Sequence, residues 1–323
     1  MIRKTQNEIM SKWGTNAESL VSICSTTYNH EPFIRQCLDG FLMQQSDFPF
    51  EILIHDDAST DCTANIIREY EAKYLGLIKP IYQTENQYSK GIKPNYSYNF
   101  PRAKGKYIAL CEGDDYWIDP LKLQKQVNLL EANPEYSLCW CRFKTLNEET
   151  GVFQVDQNDI LFSNGEDNVV FDFERFYHGW HIGMQTLVFR KSMYDPAYYS
   201  LYKSPKDIHL LSHLLLQGTG VCLNIFVAVY RVHMGGVYSG ASELQNAKVG
   251  YLSYKEIFKN NKQIHYLKLK YIKFIQRYID VLLDHKKYGA AFLKSVELFV
   301  KDRNVRYFLR ITRRVISQKI KQF

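Results

Sequence analysis

Nowhere in the chain is there an uninterrupted run of about 18 apolar residues, the length a membrane-crossing helix needs. The nearest approach, Leu210 to Tyr230, is broken by Ser212, His213, Gln217, Gly218, Gly220 and Asn224. The first turns of the chain carry Arg3 and Lys4 but also Glu8, Lys12 and Glu18, with no apolar stretch or small-residue cleavage site, so a secretory leader is not expected. Cysteine never occurs as C-x-x-C. The seven cysteines (Cys24, Cys37, Cys62, Cys111, Cys139, Cys141 and Cys222) are odd in number, scattered and mostly inside apolar runs. That pattern argues against a disulfide frame and a zinc site, and for reduced core thiols. With 17 Gly and 9 Pro in 323 residues, collagen-like and low-complexity classes are excluded as well.

What remains is a globular composition, 46% apolar and 23% charged, long enough for one large α/β domain with an appendage or for two modest domains. Aromatics reach 15%, with 24 Tyr and 19 Phe; such rings suit stacking on sugars or bases and equally suit half-buried packing. The net charge of +7 conceals a division. Residues 251–323 hold 18 Lys and Arg against 5 Asp and Glu, while the preceding 250 residues are net acidic.

Short apolar runs alternate with helical patterns through the first half, as in a mostly parallel sheet covered by helices. Strands are expected at Leu20–Cys24, Phe50–His55, Ile78–Tyr82, Tyr107–Cys111 and Tyr136–Phe143. Pro32 opens a helix with Phe33, Ile34, Cys37, Leu38, Phe41 and Leu42 on one face, and Ser59 or Thr60 can cap the next. Residues 84–104, rich in Gly, Asn and Tyr, read as a long connection, too polar for a strand and too broken for a helix. Further on, strands are expected near Met184–Phe189 and Val221–Arg231, with a helix over Asp207–Gln217; beyond Ala241 the pattern is helical and basic.

Three motifs stand at strand ends, where open α/β sheets bind ligands. Ser25-Thr-Thr-Tyr-Asn29 offers backbone groups that can read a base edge and a Tyr28 ring for stacking, or is simply a turn in which Asn adopts an unusual backbone angle. Asp56-Asp57-Ala58-Ser59 offers a carboxylate able to accept from the imide N–H of uracil, alongside helix-capping groups. In Glu112-Gly113-Asp114-Asp115 two adjacent acids repel each other unless a cation is shared or the site is wet, and oxygen ligands suit Mg²⁺ or Mn²⁺.

The order and spacing of these motifs, with Ala103-Lys-Gly-Lys-Tyr107 between them, resembles the family 2 glycosyltransferases, inverting enzymes of the GT-A fold, from Val21 to about Gly240. The resemblance implies an α/β fold: a Rossmann-like nucleotide-binding mixed sheet flanked by helices. It also implies roles. Thr26, Tyr28 and Asp57 match positions that hold the nucleotide's base, with Asn29 beside them in the nucleotide-sugar set. Asp114 matches the acid near ribose and diphosphate, and Asp115 the metal ligand of the D-x-D type motif, so Mn²⁺ or Mg²⁺ is the expected cofactor. Lys206-Asp207-Ile-His-Leu210 is similar to the segment carrying the family's general base, which implies Asp207 as base, helix capping being its other reading; Glu112 and Asp195 come next. In Tyr230-Arg-Val-His-Met-Gly-Gly-Val-Tyr238, Arg231 or His233 would close over the diphosphate and His233 would complete the metal shell. Trp180 would line the acceptor side.

The expectation is therefore a catalytic domain over residues 1–245 and a basic helical extension over 246–323. The donor would be a UDP-sugar, with dTDP open because thymine shares the imide. The acceptor would be a saccharide or lipid-linked saccharide in the synthesis of capsule, O-antigen or a related glycan. The chain would be cytoplasmic and peripheral, its basic helices on the anionic inner membrane face or packed as a structural element. A dinucleotide-dependent oxidoreductase is disfavoured because Thr-Thr-Tyr-Asn stands where G-x-G-x-x-G would follow the first strand. A nucleic-acid binder would rest on the basic tail alone.

Overall fold

A computed structural model describes residues 4–14, 18–177, 182–203, 205–236 and 242–320. The chain forms two compact units, Met1–His233 and Met234–Phe323. The first contains strands β1 (Val21–Thr27), β2 (Phe50–Asp56), β3 (Ile78–Tyr82), β4 (Tyr107–Leu110), β5 (Tyr116–Trp117), β6 (Tyr136–Asn147), β7 (Phe153–Val155), β8 (Asn168–Phe171), β9 (Val188–Arg190) and β10 (Thr219–Val232). Its helices are α1 (Gln6–Met10), α2 (Ile34–Leu42), α3 (Thr63–Lys73), α4 (Phe100–Arg102), α5 (Lys122–Ala132), α6 (Phe173–Tyr177), α7 (Pro196–Ser200) and α8 (Asp207–Leu215). The second unit consists of α9 (Glu243–Asn260), α10 (His265–Asp284), α11 (Tyr288–Asp302) and α12 (Val305–Ile320).

One mixed sheet runs in the order β3-β2-β1-β4-β9-β6-β10-β5, with β7 on β6 and β8 on β10. β3, β2, β1 and β4 are parallel, while β9 pairs antiparallel with both β4 and β6. β1 and β2 are almost wholly buried, as uninterrupted apolar runs in a doubly covered sheet should be. The Ile34, Cys37, Leu38, Phe41 and Leu42 face of α2 joins Val21, Ile23, Phe50, Ile52 and Ile54 in the core. From β1 the chain winds outward through β2 and β3, then returns to lay β4 on the other side of β1. Successive connections leave in opposite directions there, so a crevice opens beyond Thr27 and Leu110.

Two expectations are corrected. α3 begins at Thr63, and the N–H groups of Cys62 and Thr63 donate to the carboxylates of Glu31 and Asp61 in place of a cap from Ser59 or Thr60, which are engaged across the crevice floor. Residues 84–104 are folded: a 3₁₀ turn at Tyr88–Lys90, a π-helical turn at Asn95–Asn99 and the short α4 follow one another. Buried Asn99 fixes this stretch by donating to the Ser25 carbonyl at 3.0 Å, a long-range bond invisible to local propensity. All seven cysteines are free thiols, and six of them are buried.

In the second unit the apolar stripes of the four helices meet one another. Tyr251, Tyr271, Ile275, Ile279, Leu282 and Leu298 lie in its core with Ile311 and Val315 of α12. Glu297 sits among the Tyr251 and Tyr271 hydroxyls and the Lys255 and Lys294 ammonium groups, which together hold its carboxyl near pKa about 2 against the opposing effect of burial.

Candidate active site

The crevice floor is built by two turns in left-handed backbone conformation. Asn29 has φ 54° and Ala58 has φ 63°, a region that costs a side chain with Cβ about 1–2 kcal/mol unless neighbours hold it. Here neighbours do. The Asn29 N–H donates to Ser59 Oγ at 2.9 Å, and Asn29 Oδ1 accepts from the Thr60 N–H at 2.7 Å. Ser59 Oγ in turn donates to Asp56 Oδ1 at 2.5 Å. Asn29, expected among the nucleotide ligands, thus spends its side-chain oxygen on joining the two turns.

Asp57 is buried, and its carboxylate accepts from the backbone N–H groups of Gln87 and Tyr88 at 2.8 and 2.9 Å, with His55 Nε2 at 3.3 Å. It anchors the 3₁₀ turn beside the crevice. Thr26 is partly buried, with its carbonyl taken by the Gly113 N–H at 2.9 Å; Tyr28 is 43% exposed at the crevice edge.

The acid turn after β4 lies directly on the end of β1. A Cβ at Gly113 would come within 2.6 Å of Thr27 Oγ1 and 3.1 Å of His30 Nδ1, so only glycine permits this approach. The two aspartates that follow point apart. Asp114 reaches His233 Nε2 at 3.2 Å and His30 Nε2 at 3.8 Å. Burial alone would raise the Asp114 carboxyl, but the His233 hydrogen bond and the His30 charge hold it below its ordinary value. Asp115 turns inward instead: it is 4% exposed, accepts from the Arg231 N–H at 2.8 Å, and is pushed well up by burial and by the charge of Asp114. The side chain facing His233 is therefore Asp114, not Asp115, which corrects the metal-ligand expectation.

Arg231 is also reassigned. Its guanidinium donates to the Asp114 carbonyl at 2.6 Å and to Gln36 Oε1, pairs with Glu148 at 2.6 Å, and lies over the Tyr116 and Phe33 rings. With 5% of its surface exposed, it clamps the acid turn to α2 and to the loop after β6. His30 was missed from the sequence, although its place directly after Asn29 was the available signal.

Asp207 opens α8, and its side chain bonds to no group within that helix's first turn; the Lys206 N–H is met by His209 Nδ1 at 2.9 Å. Asp207 is exposed at the surface yet surrounded by enough protein to raise its carboxyl, against the charges of Lys93 and Lys206. Glu112 is raised by the same partial loss of water and by the negative charges of Asp114 and Asp207, which brings all three acids into one electrostatic neighbourhood. His209 and His213 are buried, the one against Tyr202 and the other stacked on Tyr198, as packing residues. Asp195 caps α7 through the Ala197 N–H and so is occupied structurally. Trp180 lies outside the described residues.

Among the described residues no group of three or more His, Cys, Asp and Glu is arranged as a metal cage. Asp114, faced by His233 Nε2 and His30 Nε2, could nevertheless hold a divalent cation, and one carboxylate with imidazole favours Mn²⁺ over Mg²⁺.

The chain is similar to several known proteins. A protein of Mycobacterium tuberculosis without an assigned activity is 47% identical over 129 residues, 40% of this chain and 36% of its own length. The Escherichia coli protein WfaP, a UDP-Glc:alpha-D-GlcNAc-diphosphoundecaprenol beta-1,3-glucosyltransferase, is 35% identical over 113 residues, 35% of this chain and 42% of its own. The chain thus spans less than half the length of these two relatives. Among solved structures, Staphylococcus aureus TarS 1-349 in complex with UDP-GlcNAc superposes with a TM-score of 0.60 at 21% identity, over 80% of this chain and 72% of that one, and shares the GT-A-type fold. The model of the family named Glycosyl transferase family 2 matches residues 22–204, and with more than half of its length so matched the chain belongs to that family.

Proposed function

We propose that this glycosyltransferase moves a sugar from a UDP-sugar to a saccharide or lipid-linked saccharide acceptor with inversion at the anomeric carbon. The supporting observation is that Glu112, in the acid turn after β4, lies within reach of the charges of both Asp114 and Asp207, the residue that opens α8. In this reading Tyr28 and the crevice floor receive the base, and the diphosphate lies toward Asp114, His233 and His30. Asp207 takes the proton of the attacking hydroxyl as the new glycosidic bond forms and the bond to the diphosphate breaks on the opposite face. A divalent cation held by Asp114 and His233 would supply neutralising charge to the departing diphosphate. The relative that acts on a diphosphoundecaprenol-linked sugar, and the neighbour that binds UDP-GlcNAc, favour a uridine donor and a cell-surface glycan. Incubation with a panel of UDP-, dTDP- and GDP-sugars plus Mn²⁺ tests this. UDP-sugars should raise the melting temperature and release UDP slowly, whereas stabilisation by GDP-sugars alone would refute the donor assignment.

The acceptor reading places the chain at the inner membrane face. No helix among the described residues is long and apolar enough to cross a bilayer. The packed stripes of α9–α12 leave cationic faces outward, with Leu293, Val300, Leu309 and Ile316 exposed among them. Salt-sensitive sedimentation with phosphatidylglycerol vesicles, and none with neutral vesicles, is the expected result. Replacing exposed Arg303, Arg306 and Arg313 by Gln should weaken it by roughly 10² at low salt, about 1 kcal/mol for each charge. Unchanged sedimentation of that variant would leave the helices a packing element.

A further inference from the structure

Two lysines from distant parts of the chain converge over one aromatic ring. Lys93 Nζ lies 3.8 Å from the centroid of the Tyr88 ring, and Lys206 Nζ lies 6.0 Å from the same centroid. Their placement is built in. The Tyr88 backbone is held by Asp57 at 2.9 Å, and Lys93 precedes the π-helical turn whose Tyr96 packs against Tyr199 at 4.7 Å and Tyr194 at 6.2 Å. Lys206 stands at the start of α8, where the N-terminal helix dipole adds positive potential. Burial, and after it the charge of Lys206, lowers Lys93 to about 8 against the opposing pull of Asp207 and Glu112, and neither lysine has a carboxylate at ion-pair distance among the described residues. Two facing cations repel each other, and an oxyanion between them would relieve that repulsion.

Position selects which anion. On the donor side, His30, His233 and Arg231 lie about Asp114, whereas the charges sensed by Lys93 besides Lys206 are Asp207 and Glu112. We propose that Lys93 and Lys206 form a two-cation seat for an oxyanion carried by the acceptor, a phosphate or a uronate carboxylate, beside Asp207. This rests on the reading of Asp207 as the base that meets the acceptor. The seat would fix the acceptor's charged group so that its hydroxyl falls next to Asp207, and neutral acceptors would forgo that orientation.

The test uses the full chain saturated with UDP, so that the donor's diphosphate position is filled, and titrates inorganic phosphate and glucuronate separately by calorimetry. At least one should bind, the tighter of the two naming the class. The double variant Lys93→Gln/Lys206→Gln should weaken it by about tenfold or more while the UDP dissociation constant stays within about twofold, and Lys93→Arg/Lys206→Arg should retain it. Failure of both anions to bind the wild-type chain, equal binding to wild type and the Gln variant, or a tenfold loss of UDP affinity in that variant, would overturn the proposal, the last by assigning the lysines to the donor. If UDP itself fails to bind the wild-type chain, the uridine-donor reading falls, and phosphate titration of the nucleotide-free chain still reports on the lysine pair. Circular dichroism of each variant separates loss of the seat from loss of the fold.

Discussion

Asp207→Asn should lower turnover by roughly 10² or more while leaving UDP affinity near that of the wild type. Asparagine keeps the shape and a hydrogen-bonding oxygen but cannot accept the proton of the attacking hydroxyl. The same replacement should also stabilise the fold slightly. The Asp207 carboxyl is raised, so the folded chain holds that proton more tightly than the unfolded chain does. Its ionisation therefore erodes stability as pH climbs from the ordinary carboxylate value through the raised one. Turnover moves the opposite way, rising with pH over the same interval as the basic form appears. A urea melt and a pH–rate profile on the two proteins check both signs. A variant that keeps most of its turnover would move the base to Glu112.

Asp114→Asn should abolish Mn²⁺-stimulated turnover, with an expected loss of about 10³, whereas Asp115→Asn should stay within about tenfold of wild type. The contrast follows from the turn: Asp114 faces His233 and His30, while Asp115 is buried against the Arg231 N–H with its carboxyl pushed toward the neutral form. Asparagine imitates a neutral buried acid well and a charged ligand poorly. Asp115→Ala removes the acceptor outright and should cost about 1–3 kcal/mol of stability. Metal titrations of activity, paired with thermal melts, distinguish the two positions. Equal losses at Asp114 and Asp115 would refute the division.

The strands lining the crevice were legible because a parallel sheet covered on both faces demands short, continuous apolar runs; Phe50-Glu-Ile-Leu-Ile-His55 reads as little else. β7 and β8 were not, since Phe153–Val155 is fully exposed and Asn168–Phe171 is only partly buried, so neither carries a burial pattern. Adjacent Asp114 and Asp115 are chemically identical on paper, and which one faces the crevice is decided by contacts with β10, more than a hundred residues away. The structural contacts of Arg231 were hidden for the same reason: Gln36 and Glu148 hold its guanidinium, and nothing near it in sequence announces them. Lys93 sat in a segment read as a plain connection, and its meeting with Lys206 depends on the aromatic packing of Tyr96.

The linked turns at Asn29 and Ala58 bear on affinity as well as on shape. A loop that must settle around its ligand loses conformational freedom at the moment of binding, on the order of 1 kcal/mol for each residue fixed. Here Asn29, Ser59 and Thr60 have already surrendered that freedom to one another when the sheet forms. In the proposed reading a nucleotide arriving at this floor would meet a rigid receptor, so its binding entropy should reflect the ligand's own ordering and the release of water, with little contribution from the protein.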